Sequence, residues 1–494
     1  MNKIHCILTL ALLPAIATAQ NWKKEDKIVL SNIKQHIRYL ADDKLEGRRT
    51  GTAGEQMAAT YISSAFAKLG LSPTKDGGYF QPFPIADGKQ LNPSTHLTID
   101  GKNLKLNQDF FPLVMSPNIS LQAMPSLALQ ETNMPWFINL KDVLEENAAN
   151  PHFDLQGKLI DRANAAAKKG ATVLFVYNTS GQADGLSFEG RNRAALLPIP
   201  IVYITKTAAA NYFDDDGATL DINLKIDIGE KTRSGTNVVG FINNNAAATI
   251  ILGAHYDHLG FGEDGNSREV EKKTQIHNGA DDNASGTAAL IELARLLRPS
   301  GNKNNNYVFI AFSGEELGLY GSKYFTQNST VDFASVNYMI NMDMIGRLND
   351  SSGMVTVGGY GTSPQWGALY ATKGKKKLFS DGLQFRFDSS GTGPSDHTSF
   401  YLKNIPVLFF FTGLHSDYHK PTDDFEKINY NGELRLIKHI HSLIAATAQQ
   451  PQKLVFTKTR EAQTTTTARF SVSLGIMPDY TYSGAGVRVD GVSA

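Results

Sequence analysis

Apolar residues in the second half of the chain form short unbroken runs that alternate with helical patterns. The runs cover residues 249–252, 307–312, 338–340 and 405–411. A strand that is apolar on both faces is typical of a parallel sheet that helices cover on each side. The pattern therefore predicts an α/β fold, with a mostly parallel or mixed sheet flanked by helices.

Helical spacing surrounds these predicted strands. A helix is predicted after the first strand, because leucines repeat on one face until Pro299 ends the pattern. Two further helical patterns lie near the N-terminus, at residues 33–40 and 57–69. We therefore assign residues 20–90 and 231–450 to one domain, interrupted by a segment of different texture.

The intervening residues 91–230 carry short β-like runs, at 172–177 and 199–204, and one helical stretch that ends at Gly170. Within this segment the sequence shows no cluster of His, Asp and Glu with the character of a metal site. We interpret residues 91–230 as an inserted β-rich domain without catalytic residues.

The N-terminus has the features of an export signal. Lys3 is followed by the apolar residues 7–16 and by the small-residue sequence Ala17-Thr18-Ala19. The apolar stretch is shorter than the roughly 20 residues that a membrane-spanning helix needs. Residues 1–19 are therefore predicted to be a cleaved signal peptide, with the mature chain in the periplasm or outside the cell and no membrane span.

The C-terminal part is predicted to hold a Thr-rich linker, residues 451–470, and a short segment, residues 471–494. Two strand-like runs lie in that segment, at 472–476 and 486–489, without a visible partner. Over the whole chain, Lys plus Arg and Asp plus Glu balance at 48 each, so nothing in the charge favours nucleic acid or an anionic membrane as a partner.

Acidic or imidazole side chains follow all four apolar runs. They are His255 after the first, Glu315 and Glu316 after the second, Asp343 after the third, and the histidines of residues 415–419 after the fourth. The acidic pair Asp281 and Asp282 opens the predicted helix. Because ligands bind at the carboxyl edge of an open parallel sheet, we expect these side chains to converge there.

The converging side-chain types suit zinc. Imidazole and carboxylate are good zinc ligands, and the single cysteine, Cys6, lies in the predicted signal peptide. Two ions about 3.5–4 Å apart need a bridging carboxylate, together with a histidine and a carboxylate for each ion. The five strongest candidates have that composition: His255, Asp282, Glu316, Asp343 and His419. The sequence thus predicts two Zn²⁺ per chain.

Hydrolysis of a peptide also needs a base that takes a proton from the attacking water. Glu315 and Glu316 are adjacent, so one can bind metal while the other acts as the base, and the residues alone leave their order open. Asp257 is placed to hold the ring nitrogen of His255 that does not face the metal. Tyr418 is placed to donate to a developing oxyanion.

These motifs resemble the M28 zinc aminopeptidases in both order and spacing. The resemblance covers roughly residues 237–446 and 33–83 and rests on these segments: Gly253-Ala254-His255-Tyr256-Asp257, residues 278–286, Ser313-Gly314-Glu315-Glu316-Leu317-Gly318, residues 341–346, Ser395-Asp396-His397 and Tyr418-His419.

The resemblance implies a role for each position. His255 and Asp343 would hold one zinc, and Glu316 and His419 the other. Asp282 would bridge them, with a cis peptide bond to Asn283, and Asp281 would not be a ligand. The remaining implied roles are these: Glu315 as general base and Tyr418 as the oxyanion donor. Apart from the resemblance, Asp257 is predicted to support the ligand His255, and His397 is placed either to support the ligands or to serve as a structural loop residue.

Weaker resemblances concern the other segments. Residues 91–230 resemble a protease-associated (PA) domain, chiefly through residues 167–174 and 197–204. The tail from Val472 resembles the opening strands of a PDZ domain and stops far short of a whole one.

The leading interpretation is an exported exopeptidase that removes N-terminal residues from peptides. Glutaminyl cyclases resemble M28 enzymes but use one zinc, so the metal content separates that alternative. A carboxypeptidase on the same fold is a second alternative, which a basic pocket for a substrate carboxylate would favour. A third is a binding module on an inactive peptidase core, for which a lost ligand would be expected, and all five ligand positions are filled.

Overall fold

The structure is a computed structural model of the chain. It describes residues 23–74, 78–150, 153–192, 194–213, 217–270, 274–298, 303–371, 382–450, 452–459, 476–478 and 489–492. The predicted signal peptide, residues 1–19, lies outside the described residues.

The described residues divide into two compact units. The first is formed by the residues up to Phe83 and from Ser234 onwards, and the second is Pro84–Arg233.

Ten α-helices are assigned in the described residues: α1 Lys24–Leu40, α2 Ala53–Lys68, α3 Lys141–Glu146, α4 Leu155–Lys168, α5 Lys206–Tyr212, α6 Gly286–Leu297, α7 Tyr320–Gln327, α8 Pro364–Tyr370, α9 His397–Tyr401 and α10 Tyr430–Thr447. Shorter helical turns lie at Asp43–Arg48, Ala280–Ser285, Phe333–Ser335, Tyr360–Thr362 and Phe425–Lys427. The helices predicted from periodicity are confirmed as α1, α2, α4 and α6.

The strands of the first unit and its boundaries are β1 Phe80–Leu91, β10 Ile228–Ile242, β11 Ala248–His255, β12 Asn305–Phe312, β13 Val336–Met342, β14 Met354–Gly358, β15 Gln384–Phe387, β16 Val407–Phe411, β17 Ile476–Pro478 and β18 Val489–Val492. Those of the second unit are β2 His96–Ile99, β3 Lys102–Leu104, β4 Phe110–Pro112, β5 Ile119–Ala123, β6 Trp136–Asn139, β7 Leu174–Tyr177, β8 Ile201–Ile204 and β9 Ile222–Ile226.

The first unit is built on an eight-stranded sheet with the order β1-β10-β12-β11-β13-β16-β14-β15. Its four central strands, β12, β11, β13 and β16, are parallel to one another. β10 and β14 join this block antiparallel. The predicted mixed α/β sheet is confirmed, and the four apolar runs are its four central strands.

Alternate side chains of the central strands enter two separate cores. On β11, Ile250 and Leu252 belong to the core that also holds residues of α1, α2, α6 and α10, whereas Ile251 belongs to the core with Phe325 and Phe400 from α7 and α9. Both faces of the sheet are therefore covered by helices, which explains why the middle of each central strand is apolar. The carboxyl edge is where the polar residues are free to gather.

The second unit contains two four-stranded sheets, with the orders β3-β2-β9-β5 and β4-β8-β7-β6. The first is antiparallel in all its pairs, and β6, β7 and β8 of the second run parallel. The predicted strand-like runs correspond to β7 and β8, which are buried along their whole length. Helix α4 ends just before Gly170, whose φ of 93° suits glycine.

Residues 452–459, which lie within the predicted linker 451–470, contact the first unit. Within residues 452–459, Leu454 is buried and its N–H donates to the side chain of Asn337, and the N–H of Thr457 donates to the carbonyl of Thr362. This segment is therefore tied to the first unit. The predicted tail runs, 472–476 and 486–489, lie outside the described residues except for Ile476 and Val489. The described strands β17 and β18 pair antiparallel with each other.

Among the helices that the structure describes, none combines the length and the hydropathy that a bilayer-spanning segment requires.

Candidate metal centre

Two of the predicted ligands lie where neighbouring parallel strands end. His255 is the last residue of β11, and Asp343 directly follows the last residue of β13. These two strands pair in parallel, with Gly253 opposite Asn341. The sheet itself therefore brings the imidazole of His255 and the carboxylate of Asp343 together.

Two other predicted ligands, Glu316 and His419, lie on loops that follow strands of the sheet. Glu315 and Glu316 follow β12 after a turn at Gly314, whose φ is 69°. His419 lies in the loop between β16 and α10 and has a φ of 56°, which is uncommon for a residue with a side chain. Its peptide carbonyl accepts a hydrogen bond from the N–H of Arg268 at 2.9 Å, which helps to hold that conformation.

Asp282 lies in the turn that leads into α6. Its peptide bond to Asn283 is cis, which confirms the sequence prediction. The preceding carboxylate, that of Asp281, is engaged elsewhere: it accepts hydrogen bonds from the N–H of Gly346 at 2.6 Å and the hydroxyl of Ser285 at 3.1 Å, and lies 3.2 Å from His415 Nε2.

The two oxygens of Asp282 face different histidines. Its Oδ1 lies 3.3 Å from His255 Nε2, and its Oδ2 lies 3.3 Å from His419 Nε2. The outer carboxylates complete the pattern, since Asp343 Oδ1 is 3.3 Å from His255 Nε2 and Glu316 Oε2 is 3.2 Å from His419 Nε2. The structure thus brings all five predicted ligands into one cluster, with Asp282 in the middle.

These separations fit zinc. Donors about 2.0–2.1 Å from a tetrahedral zinc lie about 3.3–3.4 Å from one another. The four histidine–carboxylate separations, 3.2–3.3 Å, have that value. Groups able to hold an ion are formed by His255, Asp282 and Asp343 and, around the other oxygen of Asp282, by His258, Asp282 and Glu316.

The ring orientations also suit metal binding. His419 Nδ1 is 2.8 Å from the carbonyl oxygen of Asn266, and His255 Nδ1 is 3.2 Å from the carbonyl oxygen of Asp257. A proton on each Nδ1 satisfies these contacts and leaves the lone pair of each Nε2 directed at the cluster. For His255 the closer partner is the peptide carbonyl of Asp257, because the carboxylate oxygen Oδ1 lies at 3.7 Å.

Neighbouring carboxylates raise the pKa values of two histidines of the cluster, His255 and His419, when no metal is bound. Burial alone lowers the pKa of His255, but the carboxylates of Asp343 and Glu315 outweigh it and raise that pKa well above its ordinary value. Burial likewise opposes protonation of His419, whose pKa is raised well above its ordinary value chiefly by Glu316. Both sites therefore attract positive charge, which a divalent cation supplies more strongly than a proton.

Burial and neighbouring charges shift the pKa values of the carboxylates in opposite directions. Burial opposes ionisation of Glu316, yet His419 lowers its pKa to about 2. Burial also acts on Asp282, but the three neighbouring histidines, led by His258, hold its pKa well below the usual range. For Glu315, burial wins over the attraction of His255, and its pKa is raised well above the ordinary value. Glu315 thus differs from its neighbour in proton affinity, as a proton carrier must.

The predicted catalytic pair lies beside the cluster. Glu315 Oε2 is 4.0 Å from His255 Nε2. The ring of Tyr418 stacks on the ring of His419, with centroids 3.9 Å apart. Burial raises the pKa of Tyr418 well above its ordinary value, and the carboxylates of the cluster add to this. The hydroxyl of Tyr418 therefore stays protonated and able to donate.

Asp257 connects several parts of the site. One carboxylate oxygen accepts a hydrogen bond from the hydroxyl of Thr50 at 2.9 Å, and the other accepts one from the N–H of Glu315 at 3.2 Å. Asp257 therefore fixes the backbone that carries Glu315 and Glu316, in addition to standing beside His255.

His397 is the other predicted supporting residue, and its ring contacts Phe409, which is not a predicted ligand. Its ring stacks on Phe409 with centroids 4.5 Å apart, and its Nδ1 is buried without a hydrogen-bond partner in the described residues. Burial lowers the pKa of His397 to about 3. The contact with a predicted ligand comes instead from Ser395, whose hydroxyl donates to Asp343 Oδ2 at 2.8 Å.

Arg48 is a residue that the sequence reasoning missed. Its guanidinium is fully buried and donates to the carbonyls of Leu40, Tyr256, Asn278 and Gly279. It therefore clamps the segments next to His255 and Asp282. The sequence signal was available only as an arginine in a glycine-containing connection, which normally indicates a solvated loop.

The loop that carries His419 is also anchored by residues that the sequence reasoning missed. Asp423 Oδ2 accepts hydrogen bonds from the N–H groups of both Asp281 and Asp282, at 2.9 and 3.1 Å. The N–H of Ala280 donates to the carbonyl of Asp423 at 2.9 Å. These contacts join the turn of Asp282 to the loop of His419.

No role was predicted for His258 from the sequence. Its side chain is fully buried, and Nδ1 lies 2.7 Å from Glu316 Oε1. The available sequence signal was its position three residues after His255, beside Asp257.

Comparison with known proteins finds similar sequences among peptidases. A sequence model of Peptidase family M28 matches residues 237–446. Aminopeptidase YwaD of Bacillus subtilis is 24% identical over 467 residues, which are 87% of this chain and 90% of that protein. The probable lipoprotein aminopeptidase LpqL of Mycobacterium tuberculosis is 27% identical over 51% of this chain, which spans 48% of that protein.

Solved structures are similar as well. A zinc aminopeptidase from Bacillus subtilis matches at 21% identity with a TM-score of 0.47, over 85% of this chain and 95% of that one. An aminopeptidase from an Aneurinibacillus strain matches at 23% identity with a TM-score of 0.46, over 87% of this chain and 96% of that one.

A mixed α/β sheet whose carboxyl edge gathers histidines and carboxylates around candidate ion positions defines a zinc-type metallohydrolase. Within that class the chain is a metallo-aminopeptidase, and its residues 237–446 match the sequence model of peptidase family M28.

Proposed function

We propose that the chain is an exported exopeptidase that holds two zinc ions and removes N-terminal residues from peptides. The observation that carries the proposal is the position of Asp282, whose two oxygens each lie 3.3 Å from a different histidine. The relatives named above, which are aminopeptidases by name, support the choice of an N-terminal substrate.

Charge balance favours two ions over one. Four carboxylates, those of Asp282, Glu315, Glu316 and Asp343, surround the two neutral imidazoles that zinc requires. Their side chains are at most 13% exposed, so uncompensated charge would be costly there. A second divalent cation therefore compensates more of this buried negative charge than one ion can.

The proposed roles follow from the positions of the side chains. When bound, the zinc ions supply Lewis acidity toward the scissile carbonyl and toward water. His255 and Asp343 would hold one ion, Glu316 and His419 the other, and Asp282 both. Glu315 would take a proton from the attacking water and deliver it to the leaving amine. Tyr418 would donate a hydrogen bond to the oxygen that becomes negative in the transition state.

Metal content is the first test. The full chain, dialysed against zinc and then freed of loosely bound ions, should contain two zinc ions by elemental analysis and release amino acids from aminoacyl chromogenic substrates. A chelator should abolish the release and zinc should restore it. One ion per chain together with cyclisation of N-terminal glutamine would support the cyclase alternative instead. Release from the carboxyl end would support a carboxypeptidase.

Glu315→Gln is the second test. The amide keeps the size of the side chain but cannot accept a proton, so we expect kcat to fall by about 10²–10⁴-fold while two zinc ions stay bound. Glu426→Gln, an exposed change on the same unit, is the matched control and should leave kcat unchanged. A Glu315→Gln variant that keeps full activity would refute the proposed base.

Export and the outer segments form a separate part of the proposal. Cleavage after Ala19 would give a mature chain that begins at Gln20, which mass spectrometry of the exported protein can check. We further propose that residues 91–230 are a PA-like insert and residues 471–494 a PDZ-like segment, on the sequence resemblances alone. Asp257 and His397 are proposed to support the ligands, Asp257 through direct hydrogen bonds and His397 through its packing on Phe409.

A further inference from the structure

His258 occupies a place that the proposed ligand set does not explain. Its side chain is fully buried, and its ring lies edge-on to that of His419, with centroids 5.9 Å apart. Nδ1 lies 2.7 Å from Glu316 Oε1, while Nε2 is buried without a hydrogen-bond partner in the described part of the chain.

Two roles are compatible with this place. As a ligand, His258 would join Asp282 and Glu316 around the second ion. As a donor, His258 would form a hydrogen bond from its Nδ1–H to Glu316 Oε1. Only Oε2 of Glu316 would then face the ion. The distances discriminate between them.

The separations favour the donor. Donors to one tetrahedral zinc lie about 3.3 Å apart, and His419 Nε2 has this spacing, at 3.2 Å from Glu316 Oε2 and 3.3 Å from Asp282 Oδ2. His258 Nδ1 does not, because it is 2.7 Å from Glu316 Oε1 and 3.9 Å from Asp282 Oδ2. The first of these is a hydrogen-bond distance, and the second is too long for a shared ion.

The ring is also fixed in place by its surroundings. A Cβ atom at Gly279 would lie 2.4 Å from His258 Cδ2, so the absence of a side chain there leaves the space that the ring fills. Gly279 directly precedes the turn of Asp282, and its carbonyl accepts a hydrogen bond from the buried guanidinium of Arg48. The position of His258 is thus coupled to the backbone that carries the bridging carboxylate.

We infer that His258 is a positioning residue for the second metal position: its Nδ1–H holds Glu316 Oε1, so that Glu316 presents Oε2 as a single donor oxygen beside His419. This inference rests on the proposed two-zinc function and adds a residue that acts through Glu316. It predicts an effect on one metal position and none on the other.

The test is zinc binding by the full chain, measured in competition with a chromogenic chelator. His258→Leu removes the donor and should raise the dissociation constant of one ion by about 10–100-fold, leaving the other within about twofold. His258→Asn carries an amide nitrogen close to the Nδ1 position and should recover most of the loss. His258→Gln, whose amide nitrogen lies nearer the Nε2 position, should not.

Double variants assign the affected position. In an Asp343→Ala background the remaining ion lies at the second position, so His258→Leu should weaken it as before. In a Glu316→Ala background the remaining ion lies at the first position, so His258→Leu should have no effect on binding. The melting temperatures of the metal-free variants show whether a general loss of structure contributes.

Several results would overturn the inference. Equal weakening of both ions by His258→Leu would indicate a structural role, and unchanged constants would indicate none. Loss of one ion in both His258→Leu and His258→Asn, by more than about 10³-fold, would make His258 a direct ligand. A wild-type chain that binds fewer than two zinc ions would instead refute the proposed function, so the two failures are distinguishable.

Discussion

The proposed metal centre has two halves, a strand-borne half with His255 and Asp343 and a loop-borne half with Glu316 and His419. Their histidine–carboxylate distances are nearly the same, but different parts of the fold set them. His255 and Asp343 stand at the ends of paired parallel strands, where backbone hydrogen bonds of the sheet set their separation. Glu316 lies four residues beyond the end of β12 and His419 eight residues beyond the end of β16. Nevertheless the histidine–carboxylate distance is 3.3 Å in the first half and 3.2 Å in the second.

The loop-borne half therefore depends on contacts outside the ligand set. Asn266 contributes twice, because its carbonyl accepts from His419 Nδ1 at 2.8 Å and its amide donates to the carbonyl of Glu316 at 3.4 Å. Asp423 and His258 supply further contacts. A strand end needs less help, since neighbouring strands already fix its position. This difference predicts that a substitution of one supporting residue will weaken zinc binding in one half of the centre and leave binding in the other half unchanged.

The largest effect on zinc content and activity is expected from substitution of Asp282, which contributes an oxygen to each half. Asp282→Ala removes a donor from both, so the chain should retain little zinc and kcat/KM should fall by on the order of 10³-fold or more, since the ions supply several kcal/mol of transition-state stabilisation. Elemental analysis and chromogenic assays measure both quantities. Asp282→Asn is the informative companion: its single remaining carboxamide oxygen can serve one half, so about one ion should stay. Two tightly held ions in Asp282→Ala would contradict a bridging role.

The next effect is a pH dependence of the metal-free chain. The pKa values of His255 and His419 are raised in the folded state, so their stabilising contribution is complete below the unfolded pKa of about 6.5 and is lost as pH rises through the folded values. Glu316, whose pKa is lowered to about 2, acts oppositely and loses its contribution as pH falls below about 4.5.

Zinc must displace the imidazole protons, so its apparent affinity should rise about tenfold per pH unit for each proton displaced, until the folded pKa is passed. Calorimetric melting of chelated protein between pH 6 and 9 should therefore show a falling Tm, while zinc-loaded protein changes less. A Tm of the chelated chain that rises across this window would show that the carboxylates do not raise the histidine pKa values.

Residues at strand ends could be predicted from the sequence more directly than residues on loops. Four apolar runs predicted the four central strands, and residues that follow a strand directly, such as His255 and Asp343, could be placed by that rule alone. His419 follows no periodic pattern, and its position came from motif resemblance. The contacts of Arg48, His258 and Asp423 were not predictable, because a buried polar network depends on which loops meet in three dimensions.

A smaller effect should be confined to the strand-borne half. Ser395 donates to Asp343 Oδ2 at 2.8 Å and accepts from the amide of Asn341 at 2.8 Å. Ser395→Ala should weaken one zinc ion by about tenfold, at the lower end of what such supporting contacts contribute. Ser399→Ala is a suitable control, because that buried hydroxyl faces Ser322. Combined with His258→Leu, Ser395→Ala should weaken both ions independently. Coupled losses would show that the halves are not separable.

The smallest effect is expected at His397, which tests where support for the first half ends. Its ring packs on Phe409 and its Nδ1 has no hydrogen-bond partner in the described residues, so any effect on the site would pass through this packing. His397→Leu keeps an apolar group on Phe409 and removes the unsatisfied nitrogen. Zinc affinity should change by less than about threefold, and the melting temperature should stay level or rise slightly, because a buried polar atom without a partner is costly. A loss as large as that of Ser395→Ala would instead place His397 among the residues that orient Asp343, and the strand-borne half would then need as much outside support as the loop-borne half.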